Sequence, residues 1–160
     1  MKTLSGSAEA AAQKVLAGEH AAVYAYAVVA ARMSGTVRTL AAAAYDAHRA
    51  RRSRLETLLR DAGAEPVAAE PAYDLGALVT TEAIAKALAA RVENGVAATC
   101  ADLVLTANGD LRVEAARWQL DAAVRAAGWS GTTLAFPGLG ERAVASASPS
   151  PPGSPSASAT

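Results

Sequence analysis

The 160-residue chain is long enough for one domain with a hydrophobic core and leaves no room for a second. Fifteen basic residues balance fifteen acidic ones, so the chain lacks the positive charge that drives non-specific nucleic-acid binding. Hydrophobic residues make up 52% of the chain but aromatic residues only 4%. Alanine, the best helix former, supplies the excess. We therefore expect an all-α, alanine-rich protein without a nucleic-acid partner.

Cys100 is the only cysteine, which excludes an intrachain disulfide and a thiolate metal cluster and favours a reducing compartment. Residues 1–7 lack the long apolar stretch of a signal peptide, and the alanine run at 41–44 is too short to span a bilayer. These features predict a cytoplasmic protein with no membrane partner.

The first predicted helix spans about residues 7–33, where apolar residues recur every three or four positions. Glu19 lies on this stripe, four residues after Val15 and four before Val23, so its carboxylate is predicted to face the core. An ionised carboxylate in a core needs a partner or a metal because removing it from water is costly.

A second helix is predicted over about 36–62, with Gly63 ending it. His48 lies on its apolar stripe and is predicted to face inward. Four arginines follow the histidine, and because the chain is neutral we interpret them as a solvated face paired with nearby acids. A weaker alternative is that they bind an acidic partner or RNA. These arginines are Arg49, Arg51, Arg52 and Arg54.

Two X-Pro steps keep the chain extended after the second helix, and a long connection leads to about residue 79. The third helix is predicted over about 81–107 and carries Glu93 on its inner face.

A fourth helix is predicted over about 111–127, capped by Asp110 and ended by Gly128. Its apolar stripe consists of Val113, Leu120 and Val124, which we expect to face the core.

The C-terminal part contains little that could form a core. Trp129 and residues 136–139 (FPGL) are expected to fold back as an apolar lid, whereas the Ser-, Pro- and Ala-rich residues 143–160 are expected to be disordered. The predicted organisation is a helical domain at 7–140 followed by this tail.

Counting residues from each helix turn places four ionisable residues at similar heights along the predicted bundle. Glu19 lies about as far before the first helix turn as His48 lies after it, and Glu93 and Asp121 are related in the same way across the second turn. We therefore predict a buried polar cluster, with Tyr26 and Tyr45 donating hydrogen bonds to its acids.

Three segments carry a family resemblance: residues 19–26 (EHAAVYAY), 47–52 (AHRARR) and 136–139 (FPGL). They resemble an uncharacterised actinobacterial ferritin-like family of the DUF4439 type, and the likeness covers about residues 8–140. It implies a ferritin-like four-helix bundle made of two helical hairpins joined by a long crossover. The family brings no settled activity with it.

Di-iron ferritin-like proteins use one glutamate on each of two helices and Glu-x-x-His on the other two. Glu19 and Glu93 match the single glutamates, but Tyr45 stands where the second helix would need glutamate, and Asp121 has no histidine after it. The resemblance therefore leaves two outcomes open. Either Glu19, His48, Glu93 and Asp121 form a reduced iron or manganese site, or no metal binds.

No residue pattern typical of a nucleotide-dependent or hydrolytic enzyme is present, and we predict no catalytic residue. The first hypothesis is a non-enzymatic bundle whose buried cluster is structural and which acts through a homodimer or an unknown protein partner. The alternative is a metal-binding protein or metal-dependent oxidoreductase built on the reduced site.

Overall fold

The computed structural model describes residues 4–133, and within that range the chain forms four α-helices and no strand. This confirms the predicted all-α four-helix bundle. The predictions for residues 136–139 and 143–160 lie outside the described residues. The helices are α1 (Gly6–Arg32), α2 (Gly35–Asp61), α3 (Glu82–Thr106) and α4 (Gly109–Ser130).

Polar caps and a glycine set several helix ends. The Ser5 hydroxyl accepts a hydrogen bond from the Ala8 amide, which satisfies one of the free donors at the start of α1. At the end of α2, Gly63 has a φ of 86°, and the Ala64 amide donates to the Leu59 carbonyl at 2.9 Å. This left-handed turn closes the helix, as the sequence predicted.

The fourth helix differs from its predicted bounds. Asn108, not Asp110, is the N-cap residue, and the helix continues through Gly128 to Ser130, where Gly131, with a φ of 72°, is the C-cap residue. A glycine inside a helix costs only about 1 kcal/mol. Burial of Trp129 in the following position holds the last turn in place.

The two hairpins are joined by a crossover that makes α2 and α3 parallel. Gly18 lies beside Thr99, whereas Tyr26, farther along α1, reaches back to Glu93 on α3, so α1 and α3 are antiparallel. Because a two-residue connection makes α1 and α2 antiparallel as well, α2 must run in the same direction as α3.

The crossover lies along α1 and α3. The Gln13 side chain donates to the Glu65 carbonyl at 2.7 Å and accepts from the Val67 amide at 2.8 Å. Farther along, Arg91 donates to the Leu75 carbonyl at 2.6 Å. The crossover therefore covers one side of the bundle. No helix within residues 4–133 is both long enough and apolar enough to cross a membrane.

The apolar core forms two clusters at opposite ends of the bundle, with a polar level between them. One cluster includes Leu16, Leu55 and Leu103, and the other includes Val29, Val37 and Trp129. On α1 the first cluster ends at Ala22 and the second begins at Ala25. Glu19 therefore lies near the junction of the two clusters.

The prediction that Val113, Leu120 and Val124 face the core is wrong. Their side chains are 51%, 64% and 63% exposed. The face of α4 that packs into the bundle instead consists of Leu111, Ala115, Ala122, Ala126 and Trp129. Because α4 is apolar on two opposite faces, its periodicity did not reveal which face is buried.

Candidate functional site

Three helices bring Glu19, His48 and Glu93 together in the middle of the bundle, and all three side chains are fully buried. The His48 Nδ1 atom lies 2.7 Å from Glu19 Oε2, and its Nε2 atom lies 3.2 Å from Glu93 Oε1. The imidazole therefore bridges the glutamate of α1 and the glutamate of α3.

Two further side chains complete this arrangement. Arg51 donates from Nη1 to Glu19 Oε1 at 3.0 Å and is 4% exposed. The Tyr26 hydroxyl donates to Glu93 Oε1 at 2.7 Å, and the tyrosine ring stacks on His48 with 5.3 Å between centroids. We call Glu19, Tyr26, His48, Arg51 and Glu93 the buried network.

The hydrogen bonds favour one charge state of the network. An ionised carboxylate only accepts hydrogen bonds, so with both glutamates ionised the two ring nitrogens of His48 both donate and the imidazole is an imidazolium. Burial lowers the pKa of His48, but the hydrogen bonds and charges of Glu19 and Glu93 outweigh it and raise the pKa above its ordinary value. Two cations, His48 and Arg51, then balance two carboxylates, and the network as a whole is neutral.

The tyrosine keeps its proton. Burial, followed by the negative charge of Glu93 and the hydrogen bond to it, raises the pKa of Tyr26 far above its ordinary value. The hydroxyl is therefore a permanent donor to Glu93 rather than an acid or base in the neutral pH range.

The two glutamates are not equally satisfied. Both carboxylate oxygens of Glu19 accept hydrogen bonds, one from His48 and one from Arg51. Glu93 instead uses Oε1 for both of its donors, and its buried Oε2 has no hydrogen-bond partner within residues 4–133. Glu19 is therefore the tightly held end of the network.

Asp121 and Tyr45 lie outside the buried network, so their predicted places need correction. Asp121 is 59% exposed and only approaches Arg51 at 3.9 Å and Arg125 at 4.0 Å, because α4 turns Ala122 inward instead. Tyr45 is half-buried and packs against the guanidinium of Arg49 at 5.6 Å. Arg51, not Tyr45, is the α2 neighbour that contacts Glu19.

Arg51 is the member of the network that the sequence interpretation missed. The sequence pattern predicts solvated arginines here, which fits the exposed Arg49 and Arg54 but not the buried Arg51. The spacing along α2 nevertheless predicts that Arg51 is buried. It lies three residues after His48 and four before the fully buried Leu55, so it shares their helix face.

A solvent-accessible groove between α2 and α4 lies next to the buried network and touches it at Arg51. Arg51 packs over the Trp118 ring at 5.8 Å, and both side chains line a cavity of about 260 Å³ together with Asp121 and Arg125. Arg51 thus separates the buried carboxylate of Glu19 from the groove.

The residues predicted to hold iron or manganese do not fit such a metal in this arrangement. A metal ligand must direct a free lone pair at the ion, but both nitrogens of His48 are engaged in hydrogen bonds, and among the two buried glutamates only Glu93 has an oxygen without a hydrogen-bond partner in the described chain. Asp121 lies outside the network. Across residues 4–133, no group of three or more His, Cys, Asp or Glu side chains is placed to hold a metal ion.

Comparison with known proteins agrees with the helical architecture. The crystal structure of a conserved hypothetical protein, Rv2844 from Mycobacterium tuberculosis, matches with a TM-score of 0.75 and 36% sequence identity, covering 79% of this chain and 98% of that chain. No curated protein matches the chain. A family model described as "Domain of unknown function (DUF4439)" matches residues 11–141, and the chain therefore belongs to the DUF4439 family.

Proposed function

We propose that this protein is a ferritin-like bundle without a working metal centre, in which the buried network holds the helices in register and the protein acts by associating with a second copy of itself. The observation that carries the structural role of the network is the bridging position of His48, with one ring nitrogen on Glu19 and the other on Glu93.

The ferritin-like assignment is supported by topology. The parallel α2 and α3, joined by a long crossover, and the facing glutamates on α1 and α3 are features of that architecture. In this chain the imidazolium of His48 and the guanidinium of Arg51 supply the positive charge that a metal ion would bring to the carboxylates.

A non-enzymatic role is supported by the hydrogen-bonding state of the network. A general base or nucleophile needs a free lone pair within reach of a substrate. His48 has none, and the one unpaired oxygen of Glu93 belongs to a side chain that is 0% exposed. A neutral, closed set of charges instead favours one packing arrangement over others.

The buried Cys100 supports a cytoplasmic setting, which we propose as well. Burial raises the pKa of its thiol to about 12, so the thiol stays protonated and unreactive. A chain with this single cysteine needs no oxidising compartment for folding.

The metal alternative is tested by anaerobic loading with Fe(II) and, separately, Mn(II), followed by elemental analysis. The wild-type protein and a Glu19→Ala/His48→Ala variant are both expected to retain no stoichiometric metal. Stoichiometric metal in the wild type that is lost in the variant would overturn the structural interpretation and establish a metal-binding site.

Self-association is tested separately, by sedimentation equilibrium of the wild-type protein over micromolar to millimolar concentrations. A reversible monomer–dimer equilibrium is expected. A monomer at every concentration would refute the proposed association, and it would leave the conclusion about the metal untouched.

A further inference from the structure

The outer face of α4 carries three large apolar side chains. At about 100° per residue, Val113, Leu120 and Val124 lie within about 40° of one another. They lie opposite the buried face, which is largely alanine. We call Val113, Leu120 and Val124 the outer stripe.

The outer stripe is unusual for a surface helix. Seven large apolar side chains are exposed within residues 4–133, and three of them form this stripe, which extends about 16 Å along the helix. The exposed Ala116 and the half-buried Ala127 lie on the same side. Single exposed apolar residues are ordinary, but a contiguous set indicates a surface that another molecule covers.

We propose that the outer stripe binds the same stripe of a second copy, with the two α4 helices antiparallel about a two-fold axis. This inference rests on the proposed self-association and assigns its surface. An axis midway along the stripe places Val113 of one copy opposite Val124 of the other, and Leu120 close to the axis. Both ends of the contact are then apolar and equivalent, as a two-fold interface requires.

The charges beside the stripe favour this arrangement. Arg117 and Asp121 lie on the same edge of the stripe and almost equally far from its midpoint, on opposite sides of it. An antiparallel two-fold pair brings like edges together with reversed residue order, so Arg117 of each copy faces Asp121 of the other. Arg117 is exposed and makes no ion pair within residues 4–133, while Asp121 is 59% exposed and accessible to a partner.

A parallel pair would lose this complementarity. It would bring the edge that carries Arg117 against the opposite edge, where Ala116, Gln119 and Ala123 offer no acid. The flanks also lack the row of basic residues that a helix uses to lie on an anionic membrane. A single-helix contact is small beside the roughly 1,600 Å² of a standard interface, so we expect a dissociation constant on the order of micromolar.

The test is sedimentation equilibrium of Leu120→Glu beside the matched control Leu105→Glu. Leu105 is also exposed, at 73%, but it lies at the end of α3, outside the stripe. Leu120→Glu is expected to weaken dimerisation at least about tenfold because it buries an unpaired charge at the axis, whereas Leu105→Glu leaves it unchanged. Circular dichroism of both variants should show the wild-type helix content, because both side chains are exposed.

The register is tested by charge exchange. Arg117→Asp is expected to weaken dimerisation by about two- to fivefold, and the exchanged variant Arg117→Asp/Asp121→Arg is expected to restore it. Because Asp121 also lies near Arg51 and Arg125, the exchanged variant is compared with wild type by urea unfolding as well. Failure to restore affinity in a variant of wild-type stability overturns the antiparallel register.

The outcomes separate this inference from the proposed function. A dimer that persists in Leu120→Glu overturns the outer stripe as the interface, while self-association through another surface stands. A wild-type protein that is monomeric at every concentration overturns both.

Discussion

The buried network and the outer stripe of α4 depart from the usual distribution of residues in opposite directions. The network places charges in the core, and every charge has an opposite charge beside it within the chain. The stripe places Val113, Leu120 and Val124 in solvent, where the described chain provides nothing to cover them. Buried charges that are paired within the chain indicate a structural role. An apolar surface that the described chain leaves uncovered indicates a partner.

The largest expected effect comes from breaking the network at Glu19. Glu19→Ala leaves the cations of His48 and Arg51 buried without their shared carboxylate, and removing one partner from a buried ion pair costs about 3–5 kcal/mol. Urea unfolding followed by circular dichroism should show a loss of this size in the free energy of unfolding.

The matched control is Glu114→Ala. Glu114 accepts two hydrogen bonds from Arg54, but this pair is on the surface and should contribute less than about 1 kcal/mol. Equal losses in Glu19→Ala and Glu114→Ala would contradict the central role assigned to the network.

The unequal satisfaction of the two glutamates gives a second prediction. Glu19→Gln must turn its amide nitrogen toward His48 or Arg51, both of which are donors, because each Glu19 oxygen already accepts a hydrogen bond. Glu93→Gln can direct its amide nitrogen to the unpaired Oε2 position and keep both donors on the remaining oxygen. Glu19→Gln should therefore destabilise the protein by about 1–3 kcal/mol more than Glu93→Gln. The reverse order would show that the hydrogen bonds of Glu19 are not the stronger set.

The raised pKa of His48 predicts how stability depends on pH. A basic group whose pKa is higher in the folded state contributes stability that is fully present below its unfolded pKa, about 6.5, and is lost as pH rises through the folded pKa. Within that window the contribution should fall by up to about 1.4 kcal/mol per pH unit. Urea unfolding at a series of pH values measures this slope, which should vanish in His48→Leu.

The same titration can be followed directly by NMR. The chain contains two histidines, so His20→Gln leaves His48 as the only imidazole. The glutamine amide can still donate to the Val67 carbonyl, which lies 3.1 Å from His20 Nε2. The imidazole signals should titrate with a midpoint above pH 6.5. A midpoint at or below that value would refute the imidazolium and the charge balance built on it.

The sequence was sufficient to predict the four helices and two hairpins, because a 3.6-residue period and glycine or X-Pro breaks are local features. It also placed Glu19 and His48 on inward faces, since each lies on an apolar stripe. The structure brings these two side chains into contact at 2.7 Å.

The sequence failed where the rotation of a helix about its own axis decides the outcome. Counting residues from a turn gave the level of Asp121 along α4, but the level says nothing about direction around the helix. With apolar residues on two faces of α4, only packing against α3 and burial of Trp129 select the inner face. The errors at Asp121 and at the outer stripe therefore have one cause.

The smallest expected effect comes from replacing the whole network. A variant with Glu19→Leu, Tyr26→Phe, His48→Leu, Arg51→Met and Glu93→Leu contains no buried charge and no orphaned donor, and apolar replacements of buried ion pairs are often neutral or stabilising. We expect its free energy of unfolding to lie within about 2 kcal/mol of wild type. Its dimerisation should be unchanged, because the outer stripe lies on the opposite face of α4. A variant that folds but no longer dimerises would show that the network shapes the association surface and that the two regions are coupled.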